Sequence, residues 1–275
     1  MKKKIINILM VICILVALGS GGYLAYYYYT SNKSESDIGD LRSRIQDTVV
    51  DNTNVGNDDT SKNNKGKPEP EMVEIDGVKV QKKFEQLYSD NHDFIGWLTI
   101  SDTNVDYPVM YTPNDNERGE HYIHLDYDGN YSAAGLPFVD RLCDLKLPTD
   151  NTIIYGHNMN SGKMFHDILK YEGEEFYEGH KTFTFDTIYG DGTYEVVAMF
   201  YAQILPDSST DFKYYTFVNA GEKEEFDNYV ENIKRMSIRD TGVDVKFGDK
   251  LVTLSTCAYH VKDGRFAVIG KKIEE

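Results

Sequence analysis

A chain of 275 residues with 40% hydrophobic content has room for one domain of about 200 residues plus extensions. A formal net charge of −16, with no basic stripe, argues against nucleic acid as a partner. Three cysteines, one of them in an apolar N-terminal run, are too few for a disulfide framework.

The chain opens with Met1-Lys2-Lys3-Lys4 (1–4), followed by an apolar run over 5–29. That run exceeds the roughly 20 residues that span a bilayer and is longer than a signal-peptide core. No Ala-x-Ala-like cleavage site follows it, so a single uncleaved anchor is expected, with a cleaved signal peptide as the alternative. The lysines place the start in the cytoplasm by the positive-inside rule. Tyr23 and Tyr26–Tyr29 suit an aromatic belt on the far side, so everything after Thr30 is expected outside the cell membrane. Residues 30–70 turn to Asn, Asp, Ser, Thr, Lys and Glu, a composition that predicts a flexible or loosely helical stalk.

The folded domain is expected over 71–275. Val80, Phe84, Leu87 and Tyr88 have helical spacing within 79–88. Strands are predicted at Phe94–Ile100, at Val105–Met110 (with Pro108 marking an edge or bulge), at Gly135–Asp140 and at Asn151–His157. A short helix at Met164–Leu169 precedes further strands at Thr182–Phe185, Thr193–Leu205, Leu251–Cys257 and Arg265–Ile273. The strongest helix runs from about Ala220 to Met236, with Asn219 and Glu222 as a capping box and Phe226, Tyr229, Val230 and Ile233 as its apolar stripe. Many short strands with one substantial helix predict a mainly β fold, a closed or half-closed barrel carrying helices.

Chemistry is most readable near the C-terminus. In Leu251–Cys257 the alternation puts Val252, Leu254 and Thr256 on a core face, and Leu251, Thr253, Ser255 and Cys257 on the other. A thiol thus ends a strand, and Arg265 opens the strand that returns across a hairpin. A thiol is a nucleophile only where a base or cation makes thiolate available. His157 ends an apolar strand as Cys257 does, so two strand ends at one rim can bring them together, with Arg265 as a fixed cation for an oxyanion. Taken by themselves, these residues leave open a packed, inert Cys257 in a membrane-tethered binding module. Cys143 reads as a small buried residue, although counting alone leaves a 143–257 bridge open. His260 is a competing base. His121 and His124 with Asp126 and Asp128 lack a third ligand at a recognised spacing, and no metal or cofactor is expected. Asp126–Asn130 reads as a turn rather than a calcium loop.

Thr253-Leu254-Ser255-Thr256-Cys257 followed by Arg265 resembles the Thr-Leu-x-Thr-Cys…Arg signature of sortases, and Tyr155-Gly156-His157-Asn158-Met159 resembles their histidine motif. Residues 151–169, Tyr107-Pro108-Val109 and the helix-bearing insertion before the cysteine strand are similar to class B. The resemblance implies an eight-stranded sortase barrel with an N-terminal helix. It implies a membrane-anchored cysteine transpeptidase of a Gram-positive surface, acting on surface proteins with a C-terminal sorting motif. Such an enzyme cleaves after Thr through a Cys257 thioester and transfers the protein to a peptidoglycan precursor amine. Polymerisation of pilins is the alternative within the family. Under this resemblance His157, Cys257 and Arg265 are catalytic, and Tyr155, Ser255 and Thr256 line the substrate site. Papain-like proteases place cysteine before histidine. L,D-transpeptidases use a Ser-His-Gly-Cys motif that Ser255–Ala258 lacks.

Overall fold

A computed structural model describes residues 2–53, 70–114 and 120–273 of the chain. The first helix, α1, spans Lys2–Thr53 without a break. Its N-terminal part is long and apolar enough to cross a membrane, and side chains such as Leu18 and Tyr23 stand exposed around it. The segment expected to be a stalk is helical as far as Thr53, while 54–69 lie outside the described residues. The helix also touches the domain there. Ile38 and Leu41 are buried in its core, and Arg42 pairs with Asp106 at 2.6 Å.

The domain begins with a hairpin of β1 (Met72–Ile75) and β2 (Val78–Gln81). Asp76 and Gly77 both have positive φ, 49° and 79°, the requirement of a two-residue hairpin turn. That turn overrides the helical spacing expected from residue 79. A helix, α2 (Glu85–Asp90), starts only after a 3₁₀ turn at Lys82–Phe84. Val80, Phe84, Leu87 and Tyr88 are buried all the same.

The remaining strands are β3 (Phe94–Thr99), β4 (Asp106–Met110), β5 (Phe138–Val139), β6 (Asn151–Tyr155), β7 (Thr182–Thr187), β8 (Thr193–Gln203), β9 (Leu251–Cys257) and β10 (Gly264–Ile273). They close into an eight-stranded barrel in the order β10-β8-β7-β3-β4-β5-β6-β9. Pro108 faces Trp97 of β3, whose register shifts between Phe94 and Gly96, and β4 meets β5 only at Met110. A residue without an N–H is tolerated in such a one-sided stretch. Between β6 and β7 lie a 3₁₀ segment, Phe165–Glu172, and α3 (Glu174–Gly179).

Two pairings position the site. Strands β6 and β9 are parallel, as their long crossover connection demands, with Tyr155 opposite Ser255. Strands β9 and β10 form the antiparallel hairpin, with Arg265 directly opposite Cys257. Val252 and Leu254 point into the main core, as the alternation predicts, and Phe266 and Val268 join them there from β10.

The other face of β9 differs from its polar appearance. Leu251, Ala267 and Ile269 belong to a second core built with α4 (Lys223–Met236), whose stripe of Phe226, Tyr229, Val230 and Ile233 is buried. Thr253 and Ser255 are therefore sealed from water, and their hydroxyls bond inside: Thr253 to Asn151 Oδ1 at 2.9 Å, Ser255 to the Tyr214 hydroxyl at 2.7 Å. The predicted capping box does not form. Asn219 instead accepts from the Asp150 amide at 3.0 Å, so the helix starts at Lys223.

Candidate active site

Cys257 ends β9 half-buried, and Arg265 stands beside it on β10, also half-buried. Directly opposed residues of an antiparallel pair project to the same face with Cβ atoms about 5 Å apart. The guanidinium is steadied by donating from Nη1 to the Gly264 carbonyl at 3.0 Å. His157 reaches the same rim from β6. The Gly156 amide donates to the Ser255 carbonyl at 3.1 Å, which continues the parallel register and carries His157 alongside Cys257. Cys257, His157 and Arg265 line one cavity of about 250 Å³, together with Tyr155, Ile123 and Tyr215. A second cavity, about 190 Å³, opens at the other end of the barrel by Thr149 and Lys272 and holds none of the predicted site residues.

The histidine is held from two sides. Its Nε2 lies 2.8 Å from the Ile123 carbonyl, and a carbonyl can only accept, so Nε2 carries a proton. That leaves Nδ1 as the ring nitrogen that gains and loses one. Burial holds the His157 pKa below the ordinary imidazole value; the bond to Ile123 opposes this, and neighbouring His124 reinforces it. The backbone here requires glycine twice. A Cβ on Gly156 would come within 2.6 Å of the Phe165 ring. One on Gly135, where φ is +56°, would come within 2.2 Å of the Ile123 carbonyl oxygen itself.

The loop after His157 closes on itself, with the Phe165 amide donating to the His157 carbonyl at 2.8 Å. Asn158 then donates through Nδ2 to the Cys257 carbonyl at 3.0 Å, and His166 Nδ1 sits 2.8 Å from its Oδ1. Because Asn158 donates through its nitrogen, its oxygen accepts and His166 must donate. The backbones bearing His157 and Cys257 are thus stitched together by a side chain.

The predicted lining residues all border the cavity, but their polar groups are turned to internal work. Tyr155 bonds Asp140 at 3.1 Å, Ser255 bonds Tyr214, and Thr256 donates to the Gly156 carbonyl at 2.6 Å. Cys143 is a free, buried thiol whose pKa burial pushes up to about 12, and no disulfide joins it to Cys257. His260 packs against Tyr201 in the β9–β10 loop, outside the cavity lining. Among the described residues no group of three or more acidic, His or Cys side chains is placed to hold a metal ion. His124 stacks on His157, and Asp126 accepts from the Asp128 and Asn130 amides of a tight turn. Nothing in the residue pattern marks Ile123, which acts through its backbone, or Tyr214 and Tyr215. Asn158 was visible as the residue after the histidine, without a role.

No family model matches the chain. Sortase B of Listeria monocytogenes is 34% identical over 196 residues, or 70% of this chain and 75% of that protein. Sortase B of Staphylococcus aureus is 31% identical over 199 residues, covering 71% and 76%. The S. aureus sortase B–substrate complex has the same fold at a TM-score of 0.71 and 25% identity, covering 89% of this chain and 98% of that one. With this identity over most of each relative, the same barrel and the cysteine motif at the rim, the chain belongs to the sortase B family of cysteine transpeptidases.

Proposed function

We propose that this transpeptidase uses Cys257 as nucleophile, His157 as general acid and base, and Arg265 as the cation that holds substrate and oxyanion. The observation that carries the reading is the register: Arg265 opposite Cys257, with His157 brought alongside by β6, around a single cavity. The Cys257 thiolate attacks the Thr carbonyl of a sorting motif, and negative charge gathers on the oxygen beside Arg265. Collapse forms the thioester and expels the downstream amine, which takes a proton from His157 Nδ1. An incoming amine then loses its proton to the same nitrogen as it attacks the thioester, and Cys257 leaves as thiolate. A cell-wall precursor is the acceptor in this reading.

Surface proteins with a C-terminal sorting motif, either Asn-Pro-x-Thr-like or Pro-x-Thr-Gly-like, are the donors. The apolar part of α1 anchors the enzyme in the cell membrane, with Lys2–Lys4 inside and the barrel outside. Tyr155, Ser255 and Thr256 shape the cavity wall through packing, since their hydroxyls are engaged elsewhere. The test is cleavage of a fluorogenic Asn-Pro-x-Thr peptide by the full chain in detergent. Cys257→Ala and His157→Ala should each abolish it, and retained cleavage in either would overturn that residue's role.

A further inference from the structure

The turn that supplies the Ile123 carbonyl also carries a second imidazole. The His124 ring lies nearly parallel to that of His157, with centroids 5.3 Å apart and planes inclined by 22°. Its outer side meets the Tyr131 ring at 6.2 Å. His157 is therefore gripped by two consecutive residues of one 3₁₀ turn (His121–His124): Ile123 through its carbonyl, and His124 through its ring.

The turn itself is well fixed. Tyr122 is buried, and its hydroxyl donates to Asp93 at 3.0 Å while accepting from Asn91 at 2.9 Å. Backbone bonds add two more ties, from the Ser132 amide to the His124 carbonyl and from Leu136 to Tyr122. The His124 side chain, by contrast, is exposed and takes no part in the hydrophobic core. Among the described residues, its ring contact on the barrel side is the imidazole of His157.

We propose that His124 is a positioning residue for His157: the stack fixes the plane of that imidazole, and a charge on one ring opposes a charge on the other. The inference rests on the acid–base role given to His157 above. Two like charges at this separation repel even through water, and His124 adds to the lowering of the His157 pKa that burial chiefly causes. Other ionisable groups surround the pair. Glu120 and His121 flank it on the same stretch, Tyr131 covers His124, and Tyr155, Cys257 and Arg265 face His157 across the cavity. Arg265 acts in the same sense as a charged His124, whereas Glu120 and a Cys257 thiolate favour the imidazolium. Asp126, two residues on, directs its carboxylate to its own turn.

Two variants separate the effects, because phenylalanine keeps an aromatic face and removes the charge. His124→Ala in the full chain should lower kcat about tenfold through a less well placed imidazole, with KM within about twofold. His124→Phe should recover most of kcat. In both variants the His157 titration, followed by NMR, should move up by about half a pH unit. Their melting temperatures should match that of the parent, as for most exposed substitutions. The proposal is overturned if the alanine variant keeps the parental kcat, if phenylalanine is no better than alanine, or if the His157 titration stays put. His157→Ala, assayed alongside, keeps the two readings apart. Cleavage surviving in that variant removes the acid–base role, whereas an inactive His157→Ala beside parental behaviour at position 124 removes only this proposal.

Discussion

Asn151 makes the sharpest stability prediction, because one side chain joins the three parts that build the site. It is fully buried at the start of β6, the strand that leads to His157. Its Nδ2 donates to the Phe217 carbonyl at 3.0 Å and approaches the Tyr229 hydroxyl of α4 at 3.4 Å. Its Oδ1 accepts from Thr253, on the strand that leads to Cys257, at 2.9 Å. Asn151→Ala removes these bonds, strands the Phe217 carbonyl away from water and leaves the Thr253 hydroxyl with Tyr229 as its remaining side-chain partner. At about 1 kcal/mol for each lost bond, the cost is about 3 kcal/mol. For a domain of this size that lowers the melting temperature by about 6–12 °C. Asn151→Asp keeps the shape but aims an acceptor at the Phe217 carbonyl, and should be at least as damaging. Urea titration of the variants against the parent measures both. A loss below about 1 kcal/mol for Asn151→Ala would refute the pinning role and imply that water or a local shift satisfies the stranded carbonyl.

Three further expectations follow from the same geometry. Arg265→Lys keeps a charge but loses the planar fork beside Cys257, so kcat should fall by about 10²-fold; parental kcat would mean that a point charge suffices. The depressed pKa of His157 means that the unfolded chain binds a proton more readily, so stability is highest above the ordinary imidazole value and declines as pH falls through the lower folded one. Urea midpoints should therefore drop between about pH 7 and 5 more steeply in the parent than in His157→Gln, and parallel curves would contradict this. Leu41, buried where α1 meets the barrel domain, should be intolerant of charge. Leu41→Asp forfeits about 1.5–3 kcal/mol of burial and lowers the melting temperature of the full chain; an unchanged value would mean that the contact is not maintained.

The barrel and the meeting of Cys257, His157 and Arg265 at one rim were legible because the information is local. Apolar runs set off by turns gave most strands, and the residues around Cys257 and His157 carried their own signature. The strand Val78–Gln81 departs from the helical spacing of 79–88 because the Asp76-Gly77 turn, with its paired positive φ angles, dictates a hairpin. The sealed face of β9 was not legible, since it depends on Tyr214 and on α4, elements that reach Ser255 and Thr253 only after folding. Position 151 in the sequence is merely a polar residue opening an apolar strand, and its partners at 217, 229 and 253 come from three separate elements. Ile123 shows the limit most clearly: its contribution is a carbonyl oxygen, which every residue possesses, placed by the close approach of Gly135.

The central claim is covalent chemistry at Cys257, and intact-protein mass spectrometry tests it most directly. The full chain, incubated with an Asn-Pro-x-Thr peptide and no amine acceptor, should gain the mass of the peptide up to its Thr. The adduct should map to Cys257, disappear with hydroxylamine, and be absent in Cys257→Ala. An adduct on Cys143, or peptide cleavage that persists in Cys257→Ala, would contradict the account.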